Sequence, residues 1–190
     1  MRTLALAIAA LLALAARVGA GEGTDHLRAE VEELYRSVRQ PEASGPATSL
    51  TPRAIVDRMF DWSAMAEAVL RDHWRPLAPP ERAEFTRLFA EVFSRGYVSR
   101  IHLVDARTFQ YLGDTTVGDA SIVKTKVFTR RGSAITVDYV LHASGARRWR
   151  IVDVRVESIS LVENYRVQFD TVIAKSSYGT LLTRLRDATK

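Results

Sequence analysis

The chain has 190 residues, of which 47% are hydrophobic and 26% are charged, and this balance excludes an intrinsically disordered protein. Its net charge of +5 is mild and is not concentrated in one stripe, so the composition does not favour a nucleic-acid-binding protein. Because the chain has no cysteine, it can contain neither a disulfide framework nor a thiol nucleophile. We expect one globular domain of ordinary size.

Residues 1–20 are predicted to be an export signal. Arg2 precedes an unbroken apolar run over residues 4–16, and Val18 and Ala20 place small residues at the −3 and −1 positions of a signal-peptidase site. The run is too short for a transmembrane helix, and an uncleaved membrane anchor is the less favoured alternative. Cleavage near Ala20 would leave a single domain over residues 21–190 in a bacterial periplasm. That domain would carry 25 Lys and Arg residues against 22 Asp and Glu residues.

The region after the signal is predicted to begin with three helices. Asp25, Thr51 and Asp61 are residue types that cap helix N-termini, and each stands before a stretch with helical apolar spacing. The helix capped by Asp25 ends near Gln40, and Pro52 opens the second helix at its first helical position.

A fourth and longest helix is predicted from Pro79 to about Val104. Its apolar residues recur every three or four positions and include four aromatic side chains. The stripe comprises Phe85, Leu88, Phe89, Val92, Phe93, Tyr97, Ile101 and Val104. The spacing predicts a helix that packs on a sheet, and the aromatic residues could also line a ligand pocket.

After residue 105 the apolar spacing changes from helical to alternating. Four strands are predicted around Phe109–Tyr111, Val123–Val127, Ile135–Leu141 and Trp149–Val156, with turns at residues 131–132 and 144–145. Short turns between consecutive strands favour an antiparallel meander. Helices over residues 161–174 and 178–188 close the chain. The predicted fold class is α+β, a four-stranded antiparallel meander sheet packed with helices from both ends of the chain.

The sequence shows no convergent catalytic or metal-binding motif. Its four histidines stand in separate elements without ligand spacing, and it lacks the phosphate-loop, dinucleotide and nucleophile-elbow motifs, so we predict no enzyme, metal or cofactor. Asp153 is the most suggestive acid, because it interrupts an apolar strand where an unpaired carboxylate would be costly. We favour a structural role for it, through a salt bridge with Arg166 or a backbone contact. The alternative is a small enzyme on a cone-like α+β fold that acts through Asp153.

Several segments form a specific set when taken together. They are Phe60-Asp61, Trp74, the aromatic positions of the fourth helix, residues 149–154 (WRIVDV), Ile159-Ser160-Leu161, Asn164-Tyr165-Arg166, Phe169 and residues 179–182 (GTLL). Over about residues 51–185 the chain resembles the MlaC / toluene-tolerance family of periplasmic phospholipid-binding proteins, including its hopanoid-associated branch. The family usually has glycine where this chain has Arg71 and Ser158. Because glycine adopts conformations that serine adopts poorly, strain is expected at Ser158.

The resemblance implies an apolar cavity between sheet and helices, in which the tails of phospholipid or of a hopanoid-like lipid lie while the head group stays outside. It implies a soluble periplasmic carrier that moves lipid between an outer-membrane lipoprotein complex and an inner-membrane ABC transporter with an MCE-domain subunit. Such a carrier would serve outer-membrane lipid asymmetry and toluene tolerance. The expected lipid-binding residues are Phe89, Phe93, Tyr97, Val127, Val137, Tyr139, Val154, Tyr165, Phe169 and Leu181.

Overall fold

The fold is taken from a computed structural model that describes residues 21–39, 51–101, 109–129, 131–145 and 148–190. The predicted export signal, the loop after the first helix and Val104 lie outside the described residues. Within the described ranges, no helix is long and apolar enough to cross a membrane.

Helices occupy the first half of the chain and its C-terminal end, and a sheet lies between them. The first helices are α1 (Glu22–Arg39), α2 (Pro52–Met59), α3 (Trp62–Leu70) and α4 (Pro79–Ile101), with a 3₁₀ turn over Arg71–His73. The strands are β1 (Gln110–Val117), β2 (Ala120–Phe128), β3 (Ala134–Ser144), β4 (Arg148–Val156) and β5 (Ile159–Ser160). The chain closes with α5 (Leu161–Lys175) and α6 (Tyr178–Ala188).

The strands pair antiparallel in chain order, so the predicted α+β class and the meander are confirmed. The prediction of four strands misses β5, which consists of two residues and folds back on the end of β4. The sequence indicates a corner there, and the corner is tight enough for Ile159 to pair with Val156.

The N-terminus of α1 is capped by the sheet and not by a neighbouring residue. The prediction that Asp25 is the N-cap is wrong, because α1 begins at Glu22 and the Asp25 N–H already donates to the Gly21 carbonyl at 3.0 Å. The carboxylate that accepts from this end is that of Asp114, on β1. Local sequence does not reveal a cap that lies so far away along the chain.

The predicted caps of the next two helices are confirmed. The Thr51 hydroxyl accepts from the N–H of Ala54 at 3.2 Å, and an Asp61 carboxylate oxygen accepts from the N–H of Ala64 at 3.0 Å. Each cap satisfies a backbone donor that the helix itself leaves unpaired, so the starts of α2 and α3 follow from adjacent sequence.

One face of the sheet is buried against the helices. On β2, Val123, Thr125 and Val127 are buried, whereas Lys124 is exposed on the other face. On β4 a register shift between Ile151 and Asp153 leaves an extra residue in the strand. Because of this β-bulge, Ile151 and Val154, which stand three positions apart, are both buried.

Four aromatic rings form a ladder along α4. Phe85, Phe89, Phe93 and Tyr97 follow one another at four-residue intervals, with successive ring centroids 5.9, 5.9 and 6.4 Å apart. Phe169 of α5 packs edge-on against Phe85 and Phe89, at 5.9 and 6.2 Å. The ladder and Phe169 thereby join the longest helix to the C-terminal helices.

Asp153 contributes to the corner between β4 and α5 through a backbone contact, which is one of the two predicted alternatives. Its carboxylate accepts from the N–H of Val162, in the first turn of α5, at 3.2 Å, and it lies 3.5 Å from the Nε of Arg155. The predicted pairing with Arg166 is wrong, because Arg166 pairs with Glu163 of its own helix. A carboxylate at a helix N-terminus is favoured by the helix dipole, which explains an acid in an apolar strand.

The expected strain at Ser158 is present. Glu157 and Ser158 form the two-residue turn between β4 and β5 and have φ angles of +49° and +68°. Positive φ at both central residues suits a type I′ hairpin turn, which favours Asn-Gly. Arg71, the other position where the resemblance implies glycine, has a φ of +47°. At both departures a residue other than glycine has a positive φ, which costs about 1 kcal/mol or more at each position.

We predict that Ser158→Gly raises the free energy of unfolding by about 1 kcal/mol, since it relieves the left-handed strain without removing a core contact. Urea denaturation followed by circular dichroism measures the change. Ser133→Gly is the matched control, because Ser133 is an exposed serine next to another hairpin turn and does not have a positive φ. The control should not gain stability; an equal gain in both variants would contradict strain at Ser158.

We predict that Asp153→Ala lowers the free energy of unfolding by about 1 kcal/mol, because the first turn of α5 loses a side-chain acceptor and a favourable charge. Thermal and urea denaturation measure the loss. Asp187→Ala is the control: Asp187 pairs with Lys190 on the exposed end of α6, and its removal should change stability by less than about 0.5 kcal/mol. Equal effects in the two variants would rule out a specific role of Asp153 at this corner.

Candidate functional site

A cavity of about 630 Å³ lies between the inner face of the sheet and helices α1, α4 and α5. Ligand pockets in proteins commonly have volumes of about 300–1,000 Å³, so this one is large enough for a substantial ligand. Its wall consists mainly of aliphatic and aromatic side chains, contributed by Val31, Tyr35, Phe93, Tyr97, Phe109, Val127, Ile135, Val137, Tyr139, Val154, Val156, Leu161 and Tyr165.

Seven of the ten residues predicted from the sequence to bind lipid line this cavity, namely Phe93, Tyr97, Val127, Val137, Tyr139, Val154 and Tyr165. The other three lie in the packed core behind the wall, where Phe89 is fully buried, Leu181 is 2% exposed and Phe169 is 7% exposed. The structure therefore brings most of the predicted set to one surface. That these residues contact lipid stays a prediction.

The aromatic ladder of α4 explains why some predicted residues line the cavity and others lie in the core. Its first half packs into the core, since Phe89 contacts the rings of Tyr165 and Phe169 at 5.5 and 6.2 Å. Its second half reaches the cavity, where Phe93 and Tyr97 each contact the buried ring of Phe60 at 5.3 Å. One continuous helical stripe therefore serves as core at one end and as cavity wall at the other.

Sequence reasoning missed six residues of the apolar wall, namely Val31, Tyr35, Phe109, Ile135, Val156 and Leu161. The apolar face of α1 is evident from its spacing, but spacing does not show what a face packs against. The alternation on β3 and β4 places Ile135 and Val156 on the inner face of the sheet, and this signal could have identified both.

Two tyrosine hydroxyls introduce a weakly polar point into the apolar wall. The hydroxyls of Tyr97 and Tyr139 lie 3.4 Å apart. Burial raises the pKa of Tyr97, and it raises the pKa of Tyr139 well above its ordinary value. Both side chains are therefore neutral at physiological pH, and this part of the wall carries no charge.

Polar residues mark the mouth of the cavity. Arg100 near the end of α4, Asn164 and Gln168 of α5, and Thr129 after β2 line it, and the first three are exposed. The Arg100 guanidinium donates to the Gly96 carbonyl at 3.1 Å, which keeps it beside α4. An uncharged apolar interior with a cation and two amides at its opening suits a molecule that has a long apolar part and a polar, acidic end.

A broader and more open hollow of about 740 Å³ lies along α2, α3 and α4. Arg53 and Asp57 line it, and Arg53 pairs with Asp57 at 2.9 Å and with Glu91 of α4 at 2.6 Å. Because the Arg53–Glu91 ion pair joins α2 to α4 across an open surface, we interpret the hollow as a helix-packing groove.

The described residues offer the cavity little catalytic chemistry. Among the histidines that the structure describes, none lines the cavity, and His73 pairs with Asp170 at 3.2 Å. Asp153 lies outside the cavity wall and serves the corner of α5. In the described part of the chain, no three side chains of His, Asp or Glu lie together as a metal site would require. The arrangement suits reversible burial of an apolar group.

Comparisons with known proteins agree with this geometry. A solved structure described as the phospholipid-binding protein from Ralstonia solanacearum in complex with a phospholipid superposes with a TM-score of 0.71 and 17% sequence identity, over 89% of this chain and 97% of that one. At this identity the likeness shows the fold. The comparison with curated proteins finds no match. The family model described as MlaC protein matches residues 28–187, and the chain therefore belongs to the MlaC family.

Proposed function

We propose that the protein is a carrier that binds the acyl tails of a phospholipid, or of a related lipid such as a hopanoid, in the cavity. The observation that carries this proposal is the combination of an uncharged apolar wall with a polar, cationic mouth. The tails would lie against the wall, and the head group would stay near Arg100 in water. Membership of the MlaC family supports the proposal, as does the similarity in fold to a structure that contains a phospholipid.

The free energy of exposing a lipid tail to water explains why a carrier needs such a cavity. An acyl chain of about 15 methylenes costs about 12 kcal/mol to expose to water, at about 0.8 kcal/mol for each methylene. A lipid therefore leaves a bilayer only very rarely without help. A wall of packed aliphatic and aromatic groups offsets most of that cost. Since it supplies mainly non-directional contacts, it also allows release to an acceptor of similar apolar character.

The volume of the cavity bears on how many tails it holds. Two tails would need a volume near the upper end of the range for ligand pockets, roughly 1,000 Å³. The cavity has about 630 Å³, so in this conformation it accommodates one tail and part of another. Full entry of a second tail would require part of the wall to move outward.

We also propose the cellular setting that the sequence predicts. The export signal over residues 1–20 would deliver the carrier to the periplasm, where the signal is removed near Ala20. There it would shuttle lipid between an outer-membrane lipoprotein complex and an inner-membrane ABC transporter with an MCE-domain subunit. This exchange would help to maintain outer-membrane lipid asymmetry and tolerance to solvents such as toluene.

Protein purified from the periplasm without added detergent should retain lipid at up to one molecule for each chain. Organic extraction followed by mass spectrometry measures both the identity and the amount. Lipid-free protein should take up phospholipid from vesicles. Absence of lipid together with absence of uptake would refute the carrier function.

We expect Val137→Trp to reduce the retained lipid sharply, because the larger side chain fills part of the cavity. Its effect on folding should stay within about 1–3 kcal/mol. Val140→Trp is the matched control, since Val140 lies on the same strand and points to the other face of the sheet. Lipid content, normalised to protein concentration, should be unchanged in the control. Equal lipid content in both variants would remove Val137 from the binding wall.

We expect Arg100→Glu to weaken retention of anionic phospholipid by up to about fivefold relative to zwitterionic lipid, because it reverses the charge at the mouth. Vesicle uptake with each lipid class measures the ratio. Arg184→Glu, on the exposed side of α6, makes the same change in net charge away from the mouth. If both variants shift the ratio equally, the effect comes from the overall charge and Arg100 does not face the head group.

A further inference from the structure

Asp114 is a buried carboxylate that the lipid site does not use. It is 6% exposed and accepts four hydrogen bonds. One carboxylate oxygen accepts from the Gly21 N–H at 2.8 Å and the Thr24 hydroxyl at 2.7 Å, and the other accepts from the Thr116 and Ser121 hydroxyls at 3.0 and 3.1 Å. Each carboxylate oxygen of Asp114 therefore accepts two hydrogen bonds.

Asp114 is buried and is nevertheless negatively charged. Burial alone would raise the pKa of its carboxyl, but the hydrogen bonds from Thr24, Gly21, Thr116 and Ser121 outweigh burial and hold that pKa below its ordinary value. The group is therefore an anion at neutral pH. Over the described ranges, no lysine or arginine forms an ion pair with it. The hydrogen bonds offset the cost of burying this anion, and a cation beside it would stabilise it further.

One of the four donors is the backbone nitrogen of Gly21, the residue directly after the predicted cleavage position. In the uncut chain this nitrogen belongs to an amide and donates one proton. Hydrolysis of the Ala20–Gly21 bond by a signal peptidase consumes one water, leaves a carboxylate on Ala20 and an amine on Gly21, and releases one proton to solution. That amine takes up a proton from solution at neutral pH, because α-amino groups have an ordinary pKa of about 7.7–8.0.

We propose that export processing occurs between Ala20 and Gly21 and that the new α-ammonium of Gly21 forms a buried ion pair with Asp114. The distance already fits, since the Gly21 nitrogen lies 2.8 Å from the carboxylate oxygen. The residue type fits as well, because a Cβ at position 21 would lie 2.7 Å from both oxygens of Asp114. A larger residue would push the carboxylate away from the nitrogen, so glycine is the residue that suits this approach.

The helix dipole gives the pairing a second reason. The Gly21 carbonyl accepts the first hydrogen bond of α1, from the Asp25 N–H, so the ammonium would sit at the positive end of the helix. A cation alone is unfavourable there, whereas an anion is favourable. Asp114 contacts both the Gly21 nitrogen and the Thr24 hydroxyl of the first turn of α1, so its negative charge offsets this repulsion.

The ion pair between Gly21 and Asp114 also affects the cavity, because α1 supplies Val31 and Tyr35 to the cavity wall. Processing would fasten the start of α1 to β1 and thereby hold one wall against the sheet, while the unprocessed chain would lack the ion pair and be less stable. The proposal rests on the export proposed above and is independent of which lipid is carried.

The test begins with the full-length chain expressed with its own signal in a Gram-negative bacterium. Intact mass and N-terminal sequencing of the periplasmic protein should show Gly21 as the first residue. A second version carries a valine inserted between Ala20 and Gly21, so that cleavage after Ala20 leaves the ammonium one residue away from Asp114. The melting temperature of this version should be lower by roughly 5 °C.

Asp114→Asn in both backgrounds completes a double-mutant cycle. In the native background the variant loses the ion pair as well as hydrogen bonds, whereas in the valine-extended background the ion pair is already gone. The loss in melting temperature should therefore be clearly larger in the native background. A native N-terminus other than Gly21, an unchanged melting temperature after valine insertion, or equal Asp114→Asn losses would each overturn the proposal. If Asp114→Asn does not fold, the valine insertion alone decides.

Lipid extracted from the same samples separates this proposal from the carrier function. If the protein carries lipid but begins at a residue other than Gly21, only the proposed ion pair is refuted. The same holds if it carries lipid and Asp114→Asn lowers the melting temperature equally in both backgrounds. Lipid-free protein that begins at Gly21 and shows the coupling would refute only the carrier.

Discussion

The packing of the α4 aromatic ladder is the interaction on which both the core and the cavity depend. A cavity of this size would collapse if the elements around it could approach one another. The ladder prevents this, because Phe85 and Phe89 fasten α4 to Phe169 of α5 in a packed core. The two helices are thereby fixed at one end, and Phe93 and Tyr97 are held where the helices and the sheet leave space between them.

The sheet supplies the other rigid wall. Its inner face is formed by alternating residues of β2 and β3, and the bulge in β4 keeps both Ile151 and Val154 on that face. Groups that border empty space lose the dispersion contacts that a filled core would give them. A lipid tail would restore those contacts, so ligand binding and the stability of the domain would be thermodynamically linked. The same unfilled space that lowers the stability of the empty protein would make it a carrier.

Much of the fold could be predicted from local sequence, and less of the site could. The spacing of apolar residues predicts the helices and strands. The caps Thr51 and Asp61 could also be predicted, because each lies three residues before the N–H that it accepts from. The cap of α1 was not readable, because Asp114 comes from a strand far along the chain. Phe89 and Phe93 share one helical stripe, so spacing could not distinguish core from cavity wall. Arg166 was paired wrongly with Asp153, although its three-residue spacing from Glu163 on the predicted helix favours the pair that forms.

The strained turn at Ser158 belongs to the corner between β4 and α5, and this corner positions part of the cavity wall. A left-handed serine persists only where neighbouring contacts determine the chain path, and here they do. The Glu157 carboxylate accepts from the Thr136 N–H, and the Ser160 hydroxyl accepts from the N–H of Glu163 in the first turn of α5. Asp153 adds a further acceptor at that turn. Contacts of this kind, worth about 1 kcal/mol each, together exceed the strain of the turn. They also set the direction in which α5 leaves the sheet, and α5 carries part of the cavity wall.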